Sequence, residues 1–311
     1  MARESECIIH WDDVERRRID RAPLQAYWTD LGKASGTVST GIRRIQVDPG
    51  ARTTPVHVHG AEEEIFYILS GSGISWQDGK TYEIGEGDCL VHLPKGPAHS
   101  LVAGAEGLDV LAYGQRIAAE VALLPRAHVA WLGPTWVSAG EGGHPWAREA
   151  AAGDLGSSET SPRPANIVSQ EDVPVSSGGR GLYRDDSRDL ARAAGSKALG
   201  LVHVTLPGGM ASCPLHCHSA EEEVFVILAG SGTCVLGDRE HAVREGHVIA
   251  RPAGSRVAHM LRGGPAGMTY LACGERDIAD VVWYPNSRKL FFRGLGVITR
   301  VEKLDYWDGE E

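Results

Sequence analysis

No run of apolar residues in this 311-residue chain approaches the roughly 18–20 that a membrane helix requires. The opening stretch, MARESECIIHWDDVERRR, is charged and lacks the apolar segment of a secretory leader, so the expected compartment is the cytoplasm and no membrane partner is expected. Positive charge is also scarce. The formal net charge is −10, which argues against the broad basic face that nucleic acid selects. A small anion is not excluded, because one local arginine or a metal ion can outweigh the average field. The six cysteines (Cys7, Cys89, Cys213, Cys217, Cys234, Cys273) contain no CxxC pair, and they read as reduced, part-buried residues. Cys213 and Cys217 lie close to a histidine pair, which keeps thiol ligation open. Helical periodicity is confined to residues 117–123, 145–152, 189–194 and the N-terminus.

What the chain has is one sentence written twice. PVHVHGAEEEIFYILSGSG begins at Pro55 and PLHCHSAEEEVFVILAGSG at Pro214. The register runs from position 57 to position 216, an offset of 159 that also pairs Leu31 with Leu190, Gly41 with Gly200 and Gly87 with Gly246. Beyond these the offset drifts by one: Pro94 meets Pro252, His99 meets His259 and Gly114 meets Gly274. A period this long is a duplicated domain, not a solenoid repeat. Residues 138–168 between the copies are rich in Gly, Ser, Pro and Ala and read as a linker, giving expected domains at 1–156 and 157–311. Each copy is a series of short alternating or apolar runs (GIRRIQV, EIFYILSG, CLVHLP, LDVLAYG) broken by PG, DG, GEG and PKG turns. That pattern predicts all-β structure of the sandwich or barrel kind.

His57 and His59 are two residues apart, so on a strand both side chains leave the same face. Glu64 follows a tight corner and opens the next strand. His99 follows the PKG turn and enters another. Three imidazoles and one carboxylate turned to one interior suit a divalent transition metal with positions left for water or substrate. His216, His218, Glu223 and His259 repeat every member. Phe66 and Phe225 share strand parity with Glu64 and Glu223, so they are expected to line the barrel interior near the metals. Arg43, Arg251 and Arg256 flank the two sets and are candidates for holding an anionic substrate. His10, His92, His128, His144, His203, His241 and His247 have no partner spacing and read as surface or core histidines.

These residues resemble the cupins, and within them the two-domain bicupins. Their first motif, G(x)5HxH(x)3-4E(x)6G, is met by His57, His59, Glu64 and Gly71 and again by His216, His218, Glu223 and Gly230. The resemblance selects the third glutamate of each triplet and leaves Glu62, Glu63, Glu221 and Glu222 as expected solvated loop acids. Departures from the family pattern are few. Gly50 and Gly209 stand one residue early, and one residue too many separates Gly87 from Pro94. PAGSRVAH puts four residues, not two, between Gly254 and His259, and the closing asparagine of the second motif is missing from both copies. Ser158-Glu159-Thr160 is similar to the lid tract of the oxalate decarboxylase branch, but it stands elsewhere relative to the metal motifs and reads as linker.

The resemblance implies two cupin jelly-roll barrels packed as an intrachain pseudo-dimer, with up to two divalent metals per chain (Fe, Mn, Ni, Co or Zn). It implies an oxidoreductase of the dioxygenase type acting on a small oxygenated or aromatic acid, like the quercetin and gentisate dioxygenase branches. The alternatives are a metal-dependent decarboxylase, lyase or isomerase on a small acid or sugar, and a non-catalytic small-molecule binder. The expected partner is a small-molecule substrate, and a homodimer is a possible assembly.

Overall fold

The structure is a computed structural model describing residues 7–133, 135–138, 143–156 and 159–310. It is built from strands, and each repeat makes one large sheet, one small sheet and little helix. In the N-terminal barrel the large sheet runs Asp88–His92, Glu64–Gln77, His99–Gln115, Thr40–Val47, Leu24–Asp30 and Arg16–Arg21. The small sheet runs Val58–His59, Val121–Leu124, Val129–Leu132 and Thr135–Ser138. The C-terminal barrel repeats this order, with Glu223–Leu236 and His259–Glu275 as its long central pair.

Period-2 alternation explains why the central strand EIFYIL is apolar on both faces. Phe66 and Ile68 enter the interior core of the N-terminal barrel. Ile65 and Tyr67 turn the other way, into a core shared with Val224, Val226 and Leu271 of the second barrel. Phe225 and Ile227 fill the C-terminal interior in the same manner. Parity therefore aims Glu64 and Glu223 inward. The glycine closing each motif sits at a β-bulge with positive φ (84° at Gly71, 76° at Gly230). A Cβ there would lie 2.4 or 2.5 Å from the carbonyl oxygen of Gly107 or Gly267, so only glycine fits.

The two repeats exchange their first strands. Ile8–His10 pairs with His247–Arg251 of the C-terminal barrel, and Ile167–Ser169 pairs with Asp88–His92 of the N-terminal one. A cut at 156/157 thus separates the repeats while severing a strand from each sheet.

Of the four glutamates read as solvated loop acids, three are buried and Glu62 is half-buried. Glu63, Glu221 and Glu222 are at most 3% exposed. Glu63 crosses the interface to accept from the amides of Lys197 (2.8 Å), Ala198 (3.0 Å) and Leu199 (3.1 Å) and from Ser196 Oγ (2.6 Å). Glu222 returns the contact to the amides of Val38 (2.7 Å), Ser39 (3.0 Å) and Thr40 (2.8 Å). Glu62 and Glu221 cap local loops at the amides of Ile117 (2.7 Å) and Asp277 (3.0 Å). A carboxylate that collects several backbone donors is stable when buried, and sequence spacing alone does not reveal those donors.

Residues 117–123 also differ from expectation. A turn there leads into the strand Val121–Leu124, which pairs with Val58–His59, so tertiary pairing overrides a local helical pattern. The expected helices at 145–152 and 189–194 form as Pro145–Ala151 and Leu190–Ala193.

Candidate metal centres

In the N-terminal barrel, His57 comes from the segment before Val58–His59, His59 from that strand, and His99 from the start of its own strand. An isolated bridge places His57 opposite His99. Glu64 Oε2 stands 3.2 Å from His57 Nε2, 3.6 Å from His59 Nε2 and 3.1 Å from His99 Nε2. In the C-terminal barrel Glu223 Oε2 stands 4.0 Å from His216 Nε2, 3.2 Å from His218 Nε2 and 2.9 Å from His259 Nε2. All eight residues singled out from the sequence gather into these two groups.

The outward nitrogens of five of the six rings are already engaged. Nδ1–H of His57 donates to the carbonyl of Pro55 (2.9 Å), that of His99 to Pro97 (3.1 Å) and that of His216 to Pro214 (2.9 Å). His59 Nδ1 donates to Glu120 (3.2 Å) and His218 Nδ1 to Asp280 (2.7 Å). These bonds fix the tautomer that leaves each Nε2 lone pair facing inward. Glu120 and Asp280 are themselves held by backbone amides, of Gly60, Ala61 and Glu62 in one barrel and of Ser219, Ala220 and Glu221 in the other. Neither acid was singled out from the sequence. The signal was there: IAAEV and DIADV align at the drifted repeat offset, and both place an acid one residue before the valine.

A buried cluster of this kind fits a cation. Nε2 of His59, His218 and His259 and Oε2 of Glu223 are buried and make no hydrogen bond, a costly state that a coordinated ion relieves. The ligand atoms of His57, Glu64 and His99, and those of His216, His218 and Glu223, lie within 4.8 Å of one another. Without an ion, burial pushes the Glu64 carboxyl up, but the surrounding imidazoles outweigh burial and hold it well below the usual range. Glu223 behaves alike. Burial opposes a charge on His59, yet Glu64 and Glu120 carry it up to about 9. In His218 the same contest, with Asp280 and Glu223, ends at about 10. Burial pulls His99 down to about 4.

The remaining candidates separate cleanly. Phe66 and Phe225 lie against the rings of His99 and His259, with centroids 6.1 and 5.5 Å apart. Cys213 Sγ sits 3.5 Å from Nδ1 of His216, behind the ring and not on its inward side, and burial pushes its thiol up to about 12. It is a poor thiolate ligand. Arg256 is exposed on its loop. Arg43 lies over the Trp28 ring (5.4 Å) at a cavity of about 420 Å³ that Glu64, His59 and Trp131 also line. Trp131 is shared with a neighbouring hollow walled by Trp28, Trp136 and Trp146. Arg251 lies inside its barrel, and so does His92, one of the histidines read as surface or core. Ser158 lies outside the described residues, and Thr160 reaches Glu83 on an exposed face (3.4 Å).

The cupin domain family matches residues 43–111 and 202–265, one match on each repeat. The chain is a two-domain member of the cupin superfamily. Among solved structures it is similar to oxalate decarboxylase from Bacillus subtilis at pH 4.6. That structure is 18% identical with a TM-score of 0.58, over 88% of this chain and 78% of that chain. A second structure of that enzyme, concerned with its Mn(II) centres, is 17% identical over the same shares, with a TM-score of 0.57. At these identities the likeness is one of fold. No curated protein matches the chain. No described helix is long and apolar enough to cross a membrane.

Proposed function

We propose that the protein is a metal-dependent oxidoreductase of the dioxygenase type, acting on a small oxygenated or aromatic acid. Its centres are His57, His59, Glu64 and His99 in one barrel and His216, His218, Glu223 and His259 in the other. One observation carries the reading: in each barrel three imidazole Nε2 atoms and a carboxylate oxygen converge on one point, while the outer nitrogens of five of the six rings are engaged elsewhere. Fe, Mn, Ni, Co and Zn all accept such a set. The Mn(II) of the similar oxalate decarboxylase places manganese first in the order of trial. The metal, when bound, supplies Lewis-acid and redox chemistry at the positions the protein leaves open.

The chain's own groups do the rest. Glu120 and Asp280 keep His59 and His218 in the ligating orientation. Arg43 at the cavity rim offers a carboxylate a charged fork, and the Trp131 ring offers an aromatic or apolar body a wall.

A decarboxylase or isomerase is the second reading, favoured by the fold similarity to oxalate decarboxylase. Such chemistry requires a free acid or base beside the substrate. The carboxylates lining the N-terminal cavity other than Glu64 are all engaged: Asp30 caps a helix at Lys33, Glu62 and Glu120 accept backbone amides, and Glu63 spans the domain interface. That engagement favours the oxygen-dependent reading. An oxygen electrode with Fe- or Mn-loaded protein and a panel of catechols, gentisate-like acids and flavonols tests it. Oxygen uptake matched to substrate loss is expected. Turnover without uptake would select the decarboxylase or isomerase reading, and a metal-loaded protein that binds but never turns over would select a binding module.

A further inference from the structure

The two barrels repeat the ligand quartet and differ at the residue beside it. Glu64 faces His92 across the pairing of Glu64–Gln77 with Asp88–His92. Glu223 faces Arg251 at the same register of the C-terminal sheet. Both positions point inward, since Leu90 and Ile249, two residues earlier, belong to the interior cores. His92 lies parallel to His99, with ring centroids 3.6 Å apart. In its place the second barrel carries a guanidinium that is 5% exposed.

That guanidinium is half used. Its Nη2 donates to the carbonyl of Val257 (2.7 Å) and reaches Ser255 Oγ at 3.5 Å. Nε is buried without a partner, Nη1 donates to no described atom, and no described carboxylate lies within 4 Å. Ser255 and Val257 belong to the longer loop that separates Gly254 from His259, the point where this copy departs from the family spacing. The extra residues therefore grip one edge of the fork and leave the other free beside Glu223. A cation withdrawn from water with no carboxylate in ion-pair contact is disfavoured, and an anion that docks on its free edge relieves it.

We infer that Arg251 anchors a small carboxylate in the C-terminal barrel, one that also meets the metal there, and that the N-terminal barrel carries His92 in that interior place, its own arginine, Arg43, standing at the cavity rim instead. The second contact of the carboxylate rests on the metal reading proposed above; the guanidinium contact does not. Bidentate recognition of a carboxylate is what a free guanidinium edge provides.

The test is calorimetric titration of the full-length, Mn(II)-loaded chain with glycolate, and with ethylene glycol as its uncharged counterpart, metal content being measured on the same samples. One Arg251-dependent glycolate per chain and no ethylene glycol binding is the expected result. Arg251→Gln should keep both metals and weaken glycolate at least tenfold, and Arg251→Lys should weaken it less. Three results would overturn the inference: unchanged glycolate affinity in Arg251→Gln, no glycolate binding to a wild type that holds both metals, or loss of the C-terminal metal from Arg251→Gln. The last would leave the arginine only as a brace for the loop. A wild type that holds no metal would defeat the metal reading instead. Glycolate binding to that metal-free protein, abolished by Arg251→Gln, would still support the anchor, and its absence would refute it.

Discussion

At the residue scale, Glu120 and Asp280 are as consequential as the ligands they hold. Removing such an outer partner typically lowers metal affinity about 10–100-fold. Glu120→Gln should produce a loss of that size in the N-terminal barrel and leave the C-terminal one unchanged, measured by competition with a chelator. The protonation states give a second prediction. Metal ligation needs neutral imidazole, but in the metal-free protein His59 is carried up to about 9 and His218 to about 10. At pH 7 both hold a proton, so each metal bound should expel about one. Calorimetry in two buffers of different ionisation enthalpy should read this release, and it should fade as the pH rises past 9 to 10. The same shifts set stability. The raised pKa values of His59 and His218 stabilise the metal-free fold below the ordinary value of 6.5, and that contribution is lost as the pH rises through 9 to 10. His99 and His216, held near 4, refuse a proton that the unfolded chain accepts below 6.5, so they cost stability as the pH falls from there towards 4.

At the element scale, the triplet Glu-Glu-Glu divides its labour. The first member caps a loop, the second ties the barrels together and the third turns to the ligand cluster. Glu63→Ala would strand the buried Leu199 amide and Ser196 hydroxyl and the part-buried amides of Lys197 and Ala198. Each such lost bond costs about 1–3 kcal/mol, so a marked drop in the denaturant midpoint is expected with metal content unchanged. The third role was legible because the resemblance to the cupin motif selects Glu64 and Glu223. The sequence hid the second, because the donors lie about 135 residues away in the loop at Ser196–Leu199. It hid His92 for a similar reason: an isolated histidine shows its place only once the register sets it against Glu64. The strand exchange was equally invisible, since IIH and IVS carry no mark of which sheet they will join. Local alternation, turn chemistry and the duplicated motif were enough for the barrels and the two clusters. Long-range partners were not.

At the scale of the whole molecule, the barrels share a core and trade strands, so neither repeat is complete alone. Fragments 1–156 and 157–311 should each be poorly folded when produced separately and should recover metal binding when mixed, as followed by circular dichroism and metal content. Two stable, independent halves would contradict the shared core. The central claim is that each barrel holds one metal through three histidines and one glutamate. The direct measurement is metal per chain in the wild type, Glu64→Gln and Glu223→Gln, each loaded with Mn(II) or Fe(II) and desalted. The account predicts two, one and one, with the fold intact in all three. A wild type that binds none of the five metals, or a stoichiometry that neither substitution changes, would contradict it.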